Sequence, residues 1–531
     1  MAGICFLASV QLGGQEAEPC RDYRFRTETD PVFFSSNPAA LSGFRGHISM
    51  AEAVFCKENG AFIRLQDSPD SYKAGVLTDS YISISDRLAF HGKINWSYFS
   101  GSRMGGPVLM DPDYNPVGFY ESSFETAGRK IKEDYSLLGA LSYRLGERWS
   151  LGFSAEYESA DQTKVKDPRF YNVWMDLAVR AGAAFRPSPD LMLGASLIYR
   201  STIEQVRGGI YGTTDKQYFI FTDKGGYLGS LAELAGESNY VPLNNTRPMQ
   251  NSFFGLGLQV AGKNVSNELE VMYRNGHWGN RASESAVYFD FSGVRAGYKG
   301  RFIAASGENL HKFSLDLDYE FLGNNENVFR YVTPAGQNTR VEYSGSNHIQ
   351  DRHYGNVKAA YVWYRGTDGY RPQWRAGLDL EGRGTYRHTV LYPFYRNTSL
   401  LALSSEAFAE RSFFSGRSIF TVGLRARFLA GTGTPKQDGA YASTSASSLQ
   451  SFDSYLDRQY EYDTAPAGGA GAEFCYTRII SARFAFYARI SDDFTSLLKA
   501  PRYLDGRIRN VALVAVGCNF WLFIPLPGIE D

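Results

Sequence analysis

The sequence predicts an all-β fold, a transmembrane antiparallel β-barrel of about 18 strands, within a range of about 14 to 18. Segments of alternating apolar and polar residues recur along the 531 residues, and short and long connections alternate between them. No segment has the roughly 18 consecutive apolar residues that a membrane helix needs. A membrane protein of this kind has to close its strands into a barrel, because only helices and closed barrels satisfy their backbone hydrogen bonds in lipid.

The composition argues against several functions. The chain has 55 basic and 56 acidic residues and no basic run, so we predict no nucleic-acid partner. Its 5 cysteines are too sparse for a disulfide scaffold, and no Cys or His pair has the spacing of a metal motif. We therefore expect no cofactor and no bound metal. The abundant residues are 35 Tyr, 37 Phe and 54 Gly, and barrels use such aromatic residues in girdles at the two membrane interfaces.

The hairpin over residues 135–159 has the clearest alternation in the chain. Aromatic and aliphatic residues, with a single glycine among them, occupy every second position on both sides of a short turn at 146–148. Tyr135 and Trp149 lie near strand ends, with aliphatic residues such as Leu141 between the ends. This arrangement, with polar residues opposite, is what a strand pair needs when one face meets lipid and the other meets the lumen.

The face opposite the apolar one carries many charged residues, in this hairpin and in later strands. Each unpaired ion costs far more to desolvate than packing can return, so these charges cannot share one dry core and indicate a polar lumen. The charges have two interpretations: a transverse field that orients a polar or amphipathic solute, or internal ion pairing that fills and stabilises the barrel. The predicted lumen-lining residues are Glu156, Glu158, Asp316, Asp318, Glu320, Asp379, Glu381, Arg425, Arg427, Arg483 and Arg489.

Connection lengths give an independent test of this fold. Eight short turns alternate with longer connections, the longest at 101–134, 202–250, 323–353 and 431–469. Bacterial barrels have short periplasmic turns, longer outer loops and both termini inside. The segment 432–469 is rich in Ser, Thr, Ala and Gly, which predicts a mobile or partly disordered loop.

The last predicted strand, residues 510–523, contains a Gly517 that is followed by Phe520 and Leu522 on an alternating apolar pattern. This spacing resembles the C-terminal insertion signal of bacterial outer-membrane barrel proteins. The resemblance implies that the barrel-assembly machinery and outer-membrane lipid are partners of the chain. The alternative is a buried last strand of a soluble β-sheet.

A second motif lies near the start of the chain. The segment Asn37–Leu41 reads Asn-Pro-Ala-Ala-Leu just before the first strand-like segment. It is similar to the N-terminal motif of the long-chain fatty-acid transporter (FadL-like) superfamily of outer-membrane barrels. The resemblance implies that Asn37 and Pro38 belong to a plug in the lumen, and that the cargo is hydrophobic or amphipathic. The alternative is a simple proline turn.

These patterns divide the chain into four parts. Residues 1–20 include a short apolar run and are predicted to be a signal peptide. Residues 21–44 are predicted to be a periplasmic or plug segment, 45–523 the barrel, and 524–531 a C-terminal tail.

The predicted function is a passive channel or transporter in the outer membrane for small solutes, with hydrophobic or amphipathic cargo suggested by the resemblance. One alternative is a scaffold that binds other outer-membrane proteins through the long loops 202–250 and 432–469. Another is an outer-membrane hydrolase, with His91 as the candidate base. His348 and His353 lie beside Asp351, but ordinary loop residues are favoured over a metal site there. We predict that the protein is not an enzyme.

Overall fold

The computed structural model describes residues 21–212, 215–236, 240–243, 247–281, 285–367, 369–443 and 450–522. The predicted signal peptide and the predicted C-terminal tail lie outside the described residues.

Strands account for most of the described chain. In chain order they are β1 (His47–Gly60), β2 (Asp70–Ser83), β3 (Leu88–Met104), β4 (Gly118–Glu121), β5 (Gly128–Arg144), β6 (Trp149–Lys164), β7 (Arg169–Ser188), β8 (Leu191–Gly209), β9 (Phe219–Asp223), β10 (Leu228–Glu233), β11 (Arg247–Gly262), β12 (Val265–Gly279), β13 (Val287–Ser306), β14 (Asn309–Val332), β15 (Arg340–Arg365), β16 (Trp374–Leu391), β17 (Phe394–Ser415), β18 (Ser418–Ala440), β19 (Gln450–Ser451), β20 (Ala467–Ser481), β21 (Phe484–Leu497) and β22 (Ile508–Leu522). The two α-helices are α1 (Tyr23–Thr29) and α2 (Asp453–Thr464). Among the described residues, no helix is long and apolar enough to cross a membrane.

Eighteen of these strands form one closed antiparallel sheet, which confirms the predicted fold class and strand number. The barrel closes where β1 pairs with β2 on one side and β22 on the other, so that Ala53 lies opposite both Val76 and Val516. Closure leaves no free sheet edge around the wall. Gly517 and Phe520 of the predicted insertion signal lie on β22 at this seam, whereas the side chain of Leu522 lies outside the described residues.

The two faces of the barrel wall differ in chemistry, as the alternation predicts. On the β5–β6 hairpin, Leu151 and Phe153 are 46% and 53% exposed on the outer face, whereas Ser142 and Ser150 are fully buried on the inner face. Trp149 adds an exposed aromatic ring at the strand end. An apolar outer belt around an even number of tilted antiparallel strands is the surface that a bilayer requires.

The two ends of the barrel differ in connection length. The eight predicted short turns are all present at one end, which also holds both ends of the barrel chain at β1 and β22. The predicted long connection at 323–353 is wrong, because β14 and β15 continue through most of it and leave only 333–339 as a loop. Residues 327–332 pair only with 340–346, and 340–349 pair with no strand other than β14, so this hairpin, 327–349, rises above its neighbouring strands.

The remaining strands form an outer cap, which we define as residues 105–127, 215–236 and 450–466. Here β4, β9, β10 and β19 make a separate four-stranded sheet, and α2 lies beside it. The predicted mobile loop at 432–469 is therefore wrong for 453–464, which form α2, and for 432–440, which extend β18.

The cap lies inside the barrel wall rather than above it. Val108, Phe119 and Ile220 of the cap are fully buried against inward-facing side chains of the wall, including Trp278 and Phe289. This shared core is apolar, so the hydrophobic effect holds the folded loops within the outer end of the barrel.

The N-terminal segment, residues 21–44, lies at the opposite end, where the turns are short. It consists of α1 and two 3-10 turns at Pro31–Phe33 and Pro38–Gly43. Asp22 caps α1 by accepting a hydrogen bond from the Phe25 N–H at 3.0 Å. Asn37 caps the second turn in the same way, and Pro38 follows it at the first helical position, which proline favours.

Candidate functional site

Several cavities lie within the described part of the lumen, and we name three of them by their lining residues. The cap cavity, about 380 Å³, is lined by Tyr114 and Tyr227 of the cap and by Arg352 of the wall. The acidic cavity, about 410 Å³, lies along β6, β7, β8, β12 and β13. The mixed cavity, about 660 Å³, lies along β15 to β18 and reaches β21 and β22.

The cap cavity borders both of the other two. Arg295 and Asp318 line the cap cavity and the acidic cavity. Arg64, Arg383 and Asp463 line the cap cavity and the mixed cavity. The three cavities are therefore adjacent charged spaces within the lumen.

Ten of the eleven predicted lumen-lining residues line cavities inside the barrel. Glu156, Glu158, Asp316, Asp318, Glu320, Asp379, Glu381, Arg425, Arg427 and Arg489 fall in this group. Arg483 does not line the lumen, because the chain reverses at residues 482–483 and its exposed side chain belongs to that turn.

Most lumen charges form ion pairs with nearby strands. Asp316 accepts from Arg301 at 2.6 and 2.9 Å, and Arg425 donates to Asp493 at 3.0 Å. Arg427 donates to Glu406 at 2.5 Å. The lumen charges are thus largely neutralised by local partners, as the ion-pairing interpretation predicts.

A few lumen carboxylates have no such partner. In the described part of the chain, no group lies within hydrogen-bond or ion-pair distance of Glu156, Glu158 or Asp379. All three carboxylates face cavities. Because such charges stay solvated, these cavities are places where a polar solute can meet a free carboxylate.

A cluster of charged residues fastens the cap to the wall. Arg274 donates to Glu320 at 2.8 Å and Arg352 donates to the same carboxylate at 3.0 Å. Arg352 also donates to the backbone oxygen of Asp113 at 2.8 Å, and Arg274 to that of Tyr114 at 3.0 Å. We call Arg274, Glu320 and Arg352 the cap latch.

A second fastening lies deeper in the cap. Lys164, with a side chain only 1% exposed, donates to Glu121 at 2.5 Å, and Lys130 donates to the Pro107 oxygen at 2.7 Å. Burial raises the pKa of the Glu121 carboxyl, and the two lysines offset only part of that effect. Sequence reasoning missed these residues, although lysines at inward-facing strand ends were a signal for a folded loop nearby.

The N-terminal segment fits closely against the wall. Both Ser142 and Ser150 donate to the Ala39 oxygen at 3.0 Å. Asn37 donates to the Ala183 oxygen at 3.0 Å and to Gln259 at 2.9 Å.

Small residues in the wall make this approach possible. A Cβ at Gly152 would overlap the backbone of Pro38 and Ala39, and a Cβ at Gly182 would overlap the Asn37 side chain. These glycines and serines on the inner face were the sequence signal for a close contact with the N-terminal segment. The sequence analysis did not use this signal.

Ion pairs hold α1 in place. Arg371 pairs with Asp22 at 2.7 Å, and Arg375 lies 3.4 Å from Glu28. Burial alone would raise the pKa of the Glu28 carboxyl, but Arg375, Arg24 and a hydrogen bond from Tyr364 outweigh it and hold that pKa at about 2.

The histidines considered for chemistry have ordinary partners. His91 lies 2.9 Å from Asp79 and stacks on Tyr81, and the described hydrogen bonds bring no serine or cysteine to it. His348 pairs with Asp351 at 3.1 Å, whereas His353 contacts Tyr319. No group of three or more His, Cys, Asp or Glu residues in the described ranges could hold a metal ion.

These features define a class: the chain is a β-barrel protein of the outer membrane, with a charged lumen and loops folded into one end. By sequence it belongs to a family of unknown function (DUF6850), which matches residues 38–520. The comparison with curated proteins gives no match. The resemblance of Asn37–Leu41 to the long-chain fatty-acid transporter superfamily is not supported by these comparisons.

Solved structures of outer-membrane receptors and transporters are similar at a low level. The ferric enterobactin receptor of Pseudomonas aeruginosa is 9% identical, with a TM-score of 0.39, and 89% of this chain and 80% of that chain are covered. The FrpB iron transporter of Neisseria meningitidis is 8% identical, with a TM-score of 0.38, covering 92% and 84%. The RagAB peptide transporter is 9% identical, with a TM-score of 0.38, covering 88% and 74%.

Proposed function

We propose that this protein conducts small polar solutes across the outer membrane and that folded segments restrict the lumen at both ends. The observation that carries the proposal is the set of adjacent charged cavities inside the barrel, two of which share Arg295 and Asp318 as lining residues. A barrel that served only as a membrane anchor would have no need for solvated carboxylates such as Asp379 in its interior.

The cap is the outer restriction in this proposal, and its two halves are held by different contacts. Residues 105–127 are fixed by the buried latch and by Lys164. The part around α2 is held by Tyr455, which is 2% exposed and donates to the Glu121 oxygen at 2.7 Å, and by Arg396, which is 1% exposed and lies 3.3 Å from Asp453. Opening the outer end therefore requires these buried contacts to break as well as the latch.

The N-terminal segment is the inner restriction. Its contacts with β5, β6, β7 and β8 at the end where the turns are short support this proposed plug role, as do the ion pairs of α1. We propose that conduction requires it to shift away from Gly152 and Gly182, where it approaches the wall most closely.

The expected cargo differs from the one that the fatty-acid transporter resemblance implied. Charged side chains line all three cavities, and an apolar solute would have to displace the water that solvates them. A polar solute can exchange hydrogen bonds with these groups instead, so the geometry favours polar cargo.

Liposome swelling with neutral sugars of increasing size tests the proposal. Gly182→Val should loosen the N-terminal segment and speed swelling relative to the wild type. Gly139→Val is the control, because a Cβ at Gly139 would meet no atom within 4 Å. If the folded wild type and folded Gly182→Val both leave swelling at the level of protein-free liposomes, the proposal fails.

One observation favours a second candidate, the cell-surface scaffold. The hairpin at 327–349 rises above its neighbours and exposes Tyr331 and Tyr343, 53% and 50% exposed, on its surface. A protein that binds partners there should co-purify with them from outer membranes, and deletion of 329–343 should abolish that association while the barrel stays folded.

A further inference from the structure

We propose that the cap cavity binds a small acidic sugar, with the carboxylate of the sugar on Arg387 and its hydroxyl groups on side chains of β15, β16 and β17. The inference rests on the proposed function in one respect, because it names a class of solute that the lumen would favour. The site itself is formed by side chains of the barrel wall, so binding can be tested without any transport.

Positive charge is in slight excess around the cap cavity. Six arginines line it, against five carboxylates. Four of the arginines form close ion pairs with carboxylates of the same lining, namely Arg274, Arg295, Arg352 and Arg383. Arg64 instead lies over the Tyr462 ring, 5.5 Å from its centroid, and Arg387 has only a long contact with Asp113. The cavity therefore has cationic groups to offer to a negatively charged solute.

Arg387 uses little of its hydrogen-bonding capacity. Its one described hydrogen bond runs from Nη2 to the Asp113 carboxylate at 3.4 Å, and the Asp113 side chain is 57% exposed. The Nε–H of Arg387 is buried and has no hydrogen-bond partner in the described part of the chain. Asp223 also attracts Arg387, but this carboxylate accepts from the Gly225 N–H at 2.8 Å. A guanidinium has five N–H donors in a fixed fork, so Arg387 can still bind a carboxylate bidentately.

Arg352 lies directly opposite Arg387. The two residues are register partners on β15 and β16, and both line the cavity. Like charges at opposite positions of neighbouring strands repel each other, and Arg274 adds a third positive charge that acts on Arg352. Arg352 and Arg274 share the single carboxylate of Glu320. An anion beside Arg387 would reduce this repulsion, so the site favours a negatively charged solute.

Hydroxyl groups near the two arginines fit the rest of a sugar. Thr398 lies opposite Arg387 on β17, and Tyr354 lies opposite Thr385 two positions along β15 and β16, on the same face. All three side chains line the cavity, and none of their hydroxyls has a hydrogen-bond partner in the part of the chain that the structure describes. Each can donate to and accept from a sugar hydroxyl. The cavity volume, about 380 Å³, lies within the range of about 300 to 1,000 Å³ that is typical of ligand sites.

Isothermal titration calorimetry of the full chain in detergent, with D-glucuronate as the probe, tests the site. We expect saturable binding that weakens at least about tenfold in Arg387→Gln, since a charged bidentate partner is lost. Arg387→Lys keeps the charge but not the fork, so its affinity should fall between the two. The matched control is Arg489→Gln, which removes an arginine that pairs with Glu52 beside α1. This distant change should alter the affinity less than about twofold.

Four results would overturn the inference: no saturable binding to the wild type, equal affinity in folded Arg387→Gln, equal affinity for neutral D-glucose, or equal affinity for acetate, which has a carboxylate but no hydroxyl groups. A heat-dependent shift in gel mobility establishes that each variant is folded. If Arg387→Gln does not fold, Thr398→Val replaces it and should weaken glucuronate binding about threefold, with equal affinity again overturning the inference. Because calorimetry needs no flux, binding without liposome swelling would refute the proposed function and leave the site in place, and swelling without binding would do the reverse.

Discussion

Arg352 on β15 donates to Glu320 on the neighbouring β14 at 3.0 Å, and the same guanidinium donates to the Asp113 backbone oxygen of the cap at 2.8 Å. One side chain thus joins two wall strands to the folded loop. Arg352 is 4% exposed, so these hydrogen bonds form where water does not compete for them.

This latch predicts a large loss of stability on truncation. Arg352→Ala leaves Glu320 with one cationic partner and frees the 111–115 backbone, and breaking a buried ion pair in this way costs about 3 to 5 kcal/mol. The temperature at which gel mobility shifts in detergent should fall clearly. Arg330→Ala is the control. Arg330 pairs with Glu342, but the arginine side chain is 73% exposed, so this pair should contribute little to stability.

Two adjacent residues on β16 should respond in opposite ways when each is replaced by arginine, because their side chains lie on opposite faces of the wall. Leu380 is 47% exposed on the outer face, whereas Asp379 lines the mixed cavity. Leu380→Arg should cost about 2 to 4 kcal/mol of folding free energy in bilayers, because arginine near the midplane is poorly solvated. Asp379→Arg should be tolerated beside Glu381 and Glu406. Refolding yields in lipid vesicles measure both, and the reverse order would mean that the register is shifted by one residue.

Proteolysis can report whether the N-terminal segment is docked. Gly182→Val should displace Asn37 and make trypsin cut more readily after Arg24 and Arg26, because helices held only by a few contacts open locally. Gly139→Val should leave the cleavage rate near that of the wild type. Equal rates in all three proteins would show that the Asn37 contact does not hold the segment.

The low pKa of Glu28, about 2, predicts how α1 responds to acid. A carboxyl whose pKa is lowered on docking stabilises the docked state above its free pKa of about 4.3 and loses that contribution as pH falls toward 2. The protection factors of residues 23–29 against hydrogen exchange should therefore be high and constant above about pH 5 and should fall in acid. Glu28→Gln should remove that acid-dependent component, and an unchanged profile would contradict the ion-pair account.

Much of the wall was predictable from sequence. Lipid contacts one face of each strand and the lumen the other, so apolar and polar residues alternate with a period of two along the strand. Residues such as Leu151 and Glu156 therefore fall on the predicted faces. The partners of the charges were not predictable, since the pairing of Arg427 with Glu406 depends on the register between β17 and β18. The cap was not predicted, because its contacts join loops that are far apart in sequence. One signal for it was present: apolar residues such as Phe289 occupy inward-facing positions that are otherwise polar in the lumen.

The most direct test of the account is single-channel conductance in planar bilayers. The wild type should show low or rare conductance, and a variant with Arg274→Ala and Arg352→Ala should show larger and more frequent openings because its cap is released. A heat-dependent mobility shift must first show that both barrels are folded. If the folded variant conducts no more than the lipid alone, the lumen is not a solute pathway and the account is wrong.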